Sequence, residues 1–210
     1  MMSNSERIAL FDEWARNYDP SGAGANAFPF AGYDQVLNEI VDCARPIRSL
    51  SILDLGTGTG NLASLFAGST REVWGIDFSS EMLAKSKAIL PNCHFVQADL
   101  LGQWPEVLNR RFDRIVSAYV FHEFDIPTKV ELLRRLKNDY LVDHGRMIIG
   151  DIAFPSQQIF DSAREIFAQL WDPDEYYWIA DNAVDILSSM GMTVAYKQVS
   201  VCGGVFVIDT

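Results

Sequence analysis

The feature that most narrows the folds open to this chain is a single turn, Asp54-Leu-Gly56-Thr-Gly58-Thr-Gly60-Asn61. It directly follows the apolar run Ser51–Leu55 and opens a helical stretch, Asn61–Ala67. Glycine reaches φ/ψ values closed to other residues and lets a ligand come up against the backbone. A strand, a glycine-rich turn and a helix in that order form the setting of a nucleotide-type binding turn. The spacing separates two classes of ligand. A dinucleotide turn ends G-x-x-G or G-x-x-A, whereas Asn61 occupies that place here. Asp54, two residues before Gly56, would repel a pyrophosphate at the helix N-terminus and suits a cationic amine or sulfonium.

The rest of the chain fits one frame around that turn. Val73–Ile76, His94–Ala98, Phe112–Ala118 and Met147–Ile152 are further short apolar runs. Helical patterns at Ser80–Leu90 and Thr128–Leu141 lie between them. Strands that are apolar throughout are buried on both faces, so this alternation predicts a parallel α/β sheet with right-handed crossovers. Ser156–Trp171 reads as an amphipathic helix, Asp181–Met190 as a helix capped by Asp181, and Thr193–Val201 with Gly204–Ile208 as a closing hairpin. Upstream, Ser5–Tyr18 and Asp34–Ala44 carry helical stripes, separated by the Gly/Pro-rich segment Pro20–Gly32, which reads as a mobile loop. A length of 210 residues favours one domain. The expected division is a helical cap over 1–46 on a core over 47–210.

Ligands of open α/β sheets bind at the carboxyl ends of the strands, and three more signals lie there. Asp77 closes the second strand, where an acid accepts hydrogen bonds from ribose hydroxyls, and Phe78 beside it can lie against an adenine face. Ala98-Asp99-Leu100 closes the third, where an acid can accept from an exocyclic amine. Ser117-Ala-Tyr119-Val-Phe-His122-Glu123-Phe124 follows the fourth, where a second substrate would sit; His122 is the titratable group there. The aromatic–acidic stretch Trp171–Trp178 reads either as a lining of the second-substrate pocket or a clamp on the lid, or as rings buried against the cap helices, with solvated acids at Asp172, Asp174 and Glu175; burial of the rings is the simpler reading. The basic residues from Lys129 to Lys137 read as the wet face of a helix.

Composition excludes other classes. A net charge of −11 offers no electrostatic handle for phosphate backbones or anionic membranes. Three widely separated cysteines and no Cys/His cluster indicate neither a zinc site nor a disulfide framework, as in a reducing compartment. No signal-peptide layout opens the chain, and no apolar run reaches the ~18 residues of a membrane span. A cytoplasmic protein is expected.

Taken together, D-x-G-x-G-x-G, an acid closing strand two and A-D-L closing strand three resemble the class I S-adenosylmethionine (SAM)-dependent methyltransferases. Phe11-Asp-Glu-Trp-Ala-Arg-Asn-Tyr18-Asp19 and Phe28-Pro-Phe-Ala-Gly-Tyr33 extend the likeness towards small bacterial methyltransferases of the YrrT type. The resemblance implies a Rossmann-like, mostly parallel seven-stranded sheet of order 3-2-1-4-5-7-6, the last strand antiparallel. Helices would cover both faces, with a helical cap at the N-terminus. It implies methyl transfer from SAM to a small-molecule acceptor. It places Asp54, Gly56, Thr57, Gly58, Asn61 and Ser117 at the methionine part of the cofactor, with Asp77, Phe78, Met82, Ala98, Asp99 and Leu100 at the adenosine part. Tyr18 or Tyr33 would close over the site; if a base is needed, His122 is the first candidate and Tyr119 or Asp151 the next. Catechol-type members add an Asp and an Asp-Asn pair as metal ligands; after strand five this chain has only Asp151-Ile152, so no metal is expected. Neither a nucleic-acid nor a membrane partner is expected, and the assembly would be a monomer or homodimer. A SAM-binding sensor without turnover is the alternative consistent with the same positions.

Overall fold

The computed structural model describes residues 27–209. The helix expected over Ser5–Tyr18, Tyr18 itself and most of the Gly/Pro-rich segment lie outside the described residues. The elements run α1 (Tyr33–Ala44), β1 (Ser51–Leu55), α2 (Asn61–Phe66), β2 (Glu72–Asp77), α3 (Ser80–Ile89), β3 (His94–Gln97), β4 (Phe112–Ala118), α4 (Ile126–Arg135), β5 (Leu141–Phe154), α5 (Gln157–Ile166), β6 (Trp178–Ile179), α6 (Ala180–Ser189), β7 (Thr193–Gln198) and β8 (Gly203–Asp209).

The sheet order is β3-β2-β1-β4-β5-β8-β7, with the two-residue β6 paired to β5 off that path. β1 to β5 pair in parallel, and β8 runs antiparallel between β5 and β7. This is the expected Rossmann-like order with one short strand added. β6 carries no alternation or length that a pattern search can detect. It forms because Ala153 and Phe154, at the extended end of β5, pair with Trp178 and Ile179. α6 starts one residue earlier than expected, at Ala180, and its first turn has no side-chain cap, so Asp181 does not cap it.

Every residue of β1 is buried, because helices cover both faces of the sheet. Alternate residues feed two cores. Leu53 and Leu55 join Ile115, Met147, Ile149 and Phe206 on one face; Ile52, Val116, Ile148 and Val205 join α1 and α2 on the other. α1 packs on the second face through Val36, Leu37 and Ile40, all buried. Its close approach is built into the sheet: a Cβ added at Gly150 would meet Ile40 and Val36 at 2.6 Å. With β1 central and both its neighbours parallel to it, the carboxyl ends of β1 to β5 open along one edge, where the crossovers leave a crevice.

Candidate active site

One cavity of about 390 Å³ occupies that crevice. Its floor is the glycine turn. Gly56 and Gly58 have φ of +63° and +53°, in the left-handed region that favours glycine. A Cβ on Gly56 would run into Val120 at 2.5 Å, whereas one on Gly58 would meet nothing within 4 Å. The first glycine therefore serves packing, and the second leaves backbone open to the cavity.

Two carboxylates hold the turn. Asp77, buried at the end of β2, accepts the Gly58 N–H at 2.9 Å through Oδ2 and the Ser79 N–H at 2.9 Å through Oδ1. Ser79 in turn caps α3 by accepting the Met82 N–H, which seats Met82 in the wall. Asp54, buried at the end of β1, accepts from the Thr57 hydroxyl at 2.7 Å. Burial pushes the Asp54 carboxyl up to about 7; the Thr57 bond and an Ala63 backbone bond oppose the rise, and the Asp77 charge adds to it. A cationic ligand group beside Asp54 would stabilise its ionised form.

At the end of β3, Asp99 accepts the Leu101 N–H at 2.9 Å, and its carbonyl accepts from Trp104 Nε1 at 3.0 Å. Arg135 braces the same loop from behind, donating to the carbonyls of Leu100 and Gly102. Of the residues expected at the cofactor, Asp54, Gly56, Thr57, Gly58, Asn61, Asp77, Phe78, Met82, Asp99 and Leu100 line this one cavity. Ala98 is buried behind the lining, and Ser117 points into the sheet, donating to the Leu55 carbonyl at 3.0 Å. Tyr33 lines the cavity from α1, and its hydroxyl accepts from Asn61 Nδ2 at 3.3 Å.

The far end of the cavity is built around Asp151, which is wholly buried. Its carboxylate accepts the His122 N–H at 2.8 Å, the Ile152 N–H at 2.8 Å and Trp178 Nε1–H at 3.2 Å, and pairs with His122 Nδ1 at 2.6 Å. An acceptor with that many donors fixes the ring: Nδ1–H points at Asp151 and Nε2 points at the cavity. Nε2 lies 3.7 Å from Glu175 and 3.9 Å from Glu123. Burial opposes a charge on this imidazole, but Asp151, Glu175 and Glu123 outweigh it and raise the pKa to about 9.

Three features here escaped the sequence pattern. Lys129 is not on a wet face: it is fully buried, donates to the Tyr176 carbonyl and stacks 4.1 Å over the Trp178 ring. Burial lowers its pKa to about 8 against the pull of Asp151 and Asp125. Glu175 is not solvated; the Tyr176 N–H donates to the His122 carbonyl at 2.7 Å and turns Glu175 into the cavity. Tyr119 holds a positive φ of 56°, and its ring stacks on Tyr33 at 5.1 Å. The rings of the Trp171–Trp178 stretch do not pack on the helix Tyr33–Ala44: Trp171 lies against Phe28, Phe154 and Phe160, and Tyr177 lines the cavity. A lysine at helical spacing carries no mark of the buried Asp151 that attracts it, and a loop acid carries no mark of the imidazole it faces, so only the fold reveals Lys129 and Glu175.

A glycine turn at the end of β1, acids at the ends of β2 and β3 and a crevice running on to β4 and β5 define a class I methyltransferase architecture. Known proteins agree with it. A family described as Methyltransferase domain matches residues 52–139, from β1 into the helical segment after β4. An uncharacterized methyltransferase of Geobacillus sp. (strain WCH70) is 31% identical over 204 residues, with 92% of each chain covered. The uncharacterized methyltransferase YrrT of Halobacillus halophilus is 28% identical over 206 residues, with 93% of each covered. Among solved structures, the DhpI-SAM-HEP complex superposes with a TM-score of 0.76 at 16% identity, covering 99% of both chains. Magnesium protoporphyrin IX methyltransferase (ChlM) from Synechocystis PCC 6803 with bound SAH superposes with a TM-score of 0.73 at 18% identity, covering 96% of this chain and 94% of that one. The chain belongs to the family of SAM-dependent methyltransferases that includes these uncharacterized bacterial relatives.

Proposed function

We propose that the cavity binds SAM along the ends of β1 to β3 and presents its methyl group to a metabolite-sized acceptor at the His122 end. The observation that carries this reading is continuity: one cavity joins the Gly58, Asp77 and Asp99 wall to the His122, Glu175 and Tyr177 wall. In this reading Asp77 accepts from the ribose while its other contacts hold the glycine turn. Asp99 and the Leu100 backbone meet the adenine. Phe78 and Met82 flank the adenosine, and the Gly56–Gly58 backbone with Asp54 takes the amino-acid end. Ser117 and Ala98 act through the sheet, without touching the ligand.

Methyl transfer is an in-line displacement. The acceptor's lone pair forms a bond to the methyl carbon, the carbon–sulfur bond breaks with its electron pair staying on sulfur, and S-adenosylhomocysteine leaves. The sulfonium is already activated, so the protein's part is alignment and exclusion of water. Phe30, Tyr119 and Tyr177 supply apolar walls for this. With its imidazole held protonated, His122 serves at neutral pH as a fixed charge among carboxylates, and an acceptor that arrives as a free amine or thiolate reacts without a base. A volume of about 390 Å³, shared by donor and acceptor, suits a metabolite and not a polymer. Among the described residues no helix is long and apolar enough to cross a membrane. The free Cys43, Cys93 and Cys202 fit the reducing cytoplasm, and we read residues 1–210 as one domain, divided into 1–46 and a cofactor-binding core over 47–210.

The test is mass spectrometry of a small-molecule extract incubated with pure protein and SAM. The expected result is S-adenosylhomocysteine together with a metabolite heavier by one methylene unit. Cofactor binding with no turnover across broad extracts would instead describe a sensor.

A further inference from the structure

The cavity contains a cluster that methyl transfer as derived above does not use. The donor atoms of His122, Glu123 and Glu175 all lie within 4.8 Å of one another. We propose that these three side chains bind one divalent transition ion, of the manganese or zinc class, beside the acceptor, the ion taking the place of the His122 Nε2 proton, which is released to solvent.

Geometry supports this beyond the two carboxylates. An ion ~2.1 Å from each donor leaves two donors at most ~4.2 Å apart. The Nε2 distances of 3.7 Å to Glu175 and 3.9 Å to Glu123 fall inside that limit. The His122 side chain is only 8% exposed, yet Nε2 makes no hydrogen bond among the described residues and faces the cavity. Its other nitrogen is fixed by Asp151 at 2.6 Å, the carboxylate–histidine arrangement that orients metal-bound imidazoles. Asp151 is itself held by three further N–H donors, more support than a packing histidine needs.

The third ligand is held as firmly. Tyr176 donates its N–H to the His122 carbonyl and accepts from Lys129 at its own carbonyl, so the segment carrying Glu175 is pinned to the His122 turn on one side and to α4 on the other. Glu123 and Glu175 are half-buried, which distinguishes them from surface acids. One imidazole and two carboxylates suit borderline ions better than magnesium or calcium, which prefer all-oxygen shells. Three protein ligands leave one position open on a four-coordinate ion and three on a six-coordinate one. Ion binding stands on these residues alone; its use, to seat an acceptor hydroxyl and lower its pKa, rests on the methyltransferase reading.

The experiment titrates manganese(II) chloride, then zinc(II) chloride, into the chelator-stripped full-length protein, by calorimetry and by electron paramagnetic resonance of free manganese. S-adenosylhomocysteine binding is measured separately in the ion-free buffer. The expected result is one saturable ion per chain. Glu175→Gln and His122→Gln should each weaken ion binding at least tenfold, and Asp151→Asn by ten- to a hundredfold. S-adenosylhomocysteine affinity should stay within about twofold in Glu175→Gln, and circular dichroism confirms each variant's fold. If His122→Gln or Asp151→Asn unfolds, Glu175→Gln decides. Protein that binds S-adenosylhomocysteine but neither ion overturns the site and leaves the methyltransferase reading standing. Ion binding that Glu175→Gln leaves unchanged overturns it too. Ion binding without S-adenosylhomocysteine binding supports the site and overturns the cofactor reading.

Discussion

Replacing Asp54 by asparagine probes the electrostatics of the cofactor end directly. The folded carboxyl ionises near pH 7, against 3.8 for an ordinary aspartate. Between those values the folded chain holds a proton that the unfolded chain has lost. Stability must therefore fall as pH rises through this window and level off above about 7. At ~1.36 kcal/mol per pH unit, the full cost is about 4 kcal/mol. The amide of Asp54→Asn is isosteric and does not titrate, and its oxygen can still accept from Thr57. Urea unfolding of cofactor-free protein, run from pH 4 to 8 for both chains, reads the difference. The wild type should lose about 4 kcal/mol relative to Asp54→Asn across that range. A bound ammonium favours the ionised carboxylate, so wild-type affinity for S-adenosylhomocysteine should rise from pH 5 to 7 and flatten in the variant. Stability curves that run parallel from pH 4 to 8 would refute the argument, because they would mean that Asp54 ionises as freely folded as unfolded.

Other expectations follow from single contacts. Asp77→Ala should weaken S-adenosylhomocysteine binding by roughly 1–3 kcal/mol and cost stability as well, since two N–H groups lose a charged acceptor; calorimetry and thermal melts read both. Gly58→Ala should cost only ~1–2 kcal/mol of stability, from its positive φ, while lowering cofactor affinity more than tenfold, because its new methyl group fills the open approach. In ion-free protein the His122 imidazole should titrate near 9 by NMR, and in Asp151→Asn well below that, since burial then outweighs the remaining acids. Because the raised pKa favours the charged folded form, His122 stabilises the protein fully below about 6.5, and that contribution fades as pH rises through 9.

The central strands and the glycine turn were legible because each obeys a local rule. Ile52, Leu53 and Leu55 make β1 apolar on both faces, and Gly58 needs a conformation other residues avoid. Asp77 and Asp99 were placed because a parallel sheet brings strand ends together. The far end of the cavity was legible only in part: the stretch after β4 pointed to His122, but not to its partners. His122 draws its properties from Asp151, on the neighbouring strand, and from Glu175, in a later loop. Lys129 looked like part of an ordinary solvated helix face, since a sequence shows periodicity and not what lies opposite. β6 is too short for any pattern, and Tyr119 adopts its positive φ through tertiary packing. Local chemistry thus announced the part of the cavity formed by the glycine turn and the ends of β2 and β3; the part around His122 is assembled from long-range contacts.

The most direct test is titration calorimetry of the full-length protein with S-adenosylhomocysteine, in parallel with NAD, repeated on Asp77→Ala. Saturable one-to-one binding of S-adenosylhomocysteine, weakened in the variant and absent for NAD, is the predicted result. Binding of NAD without S-adenosylhomocysteine, or S-adenosylhomocysteine affinity unchanged in a folded Asp77→Ala, would contradict the assignment of this cavity.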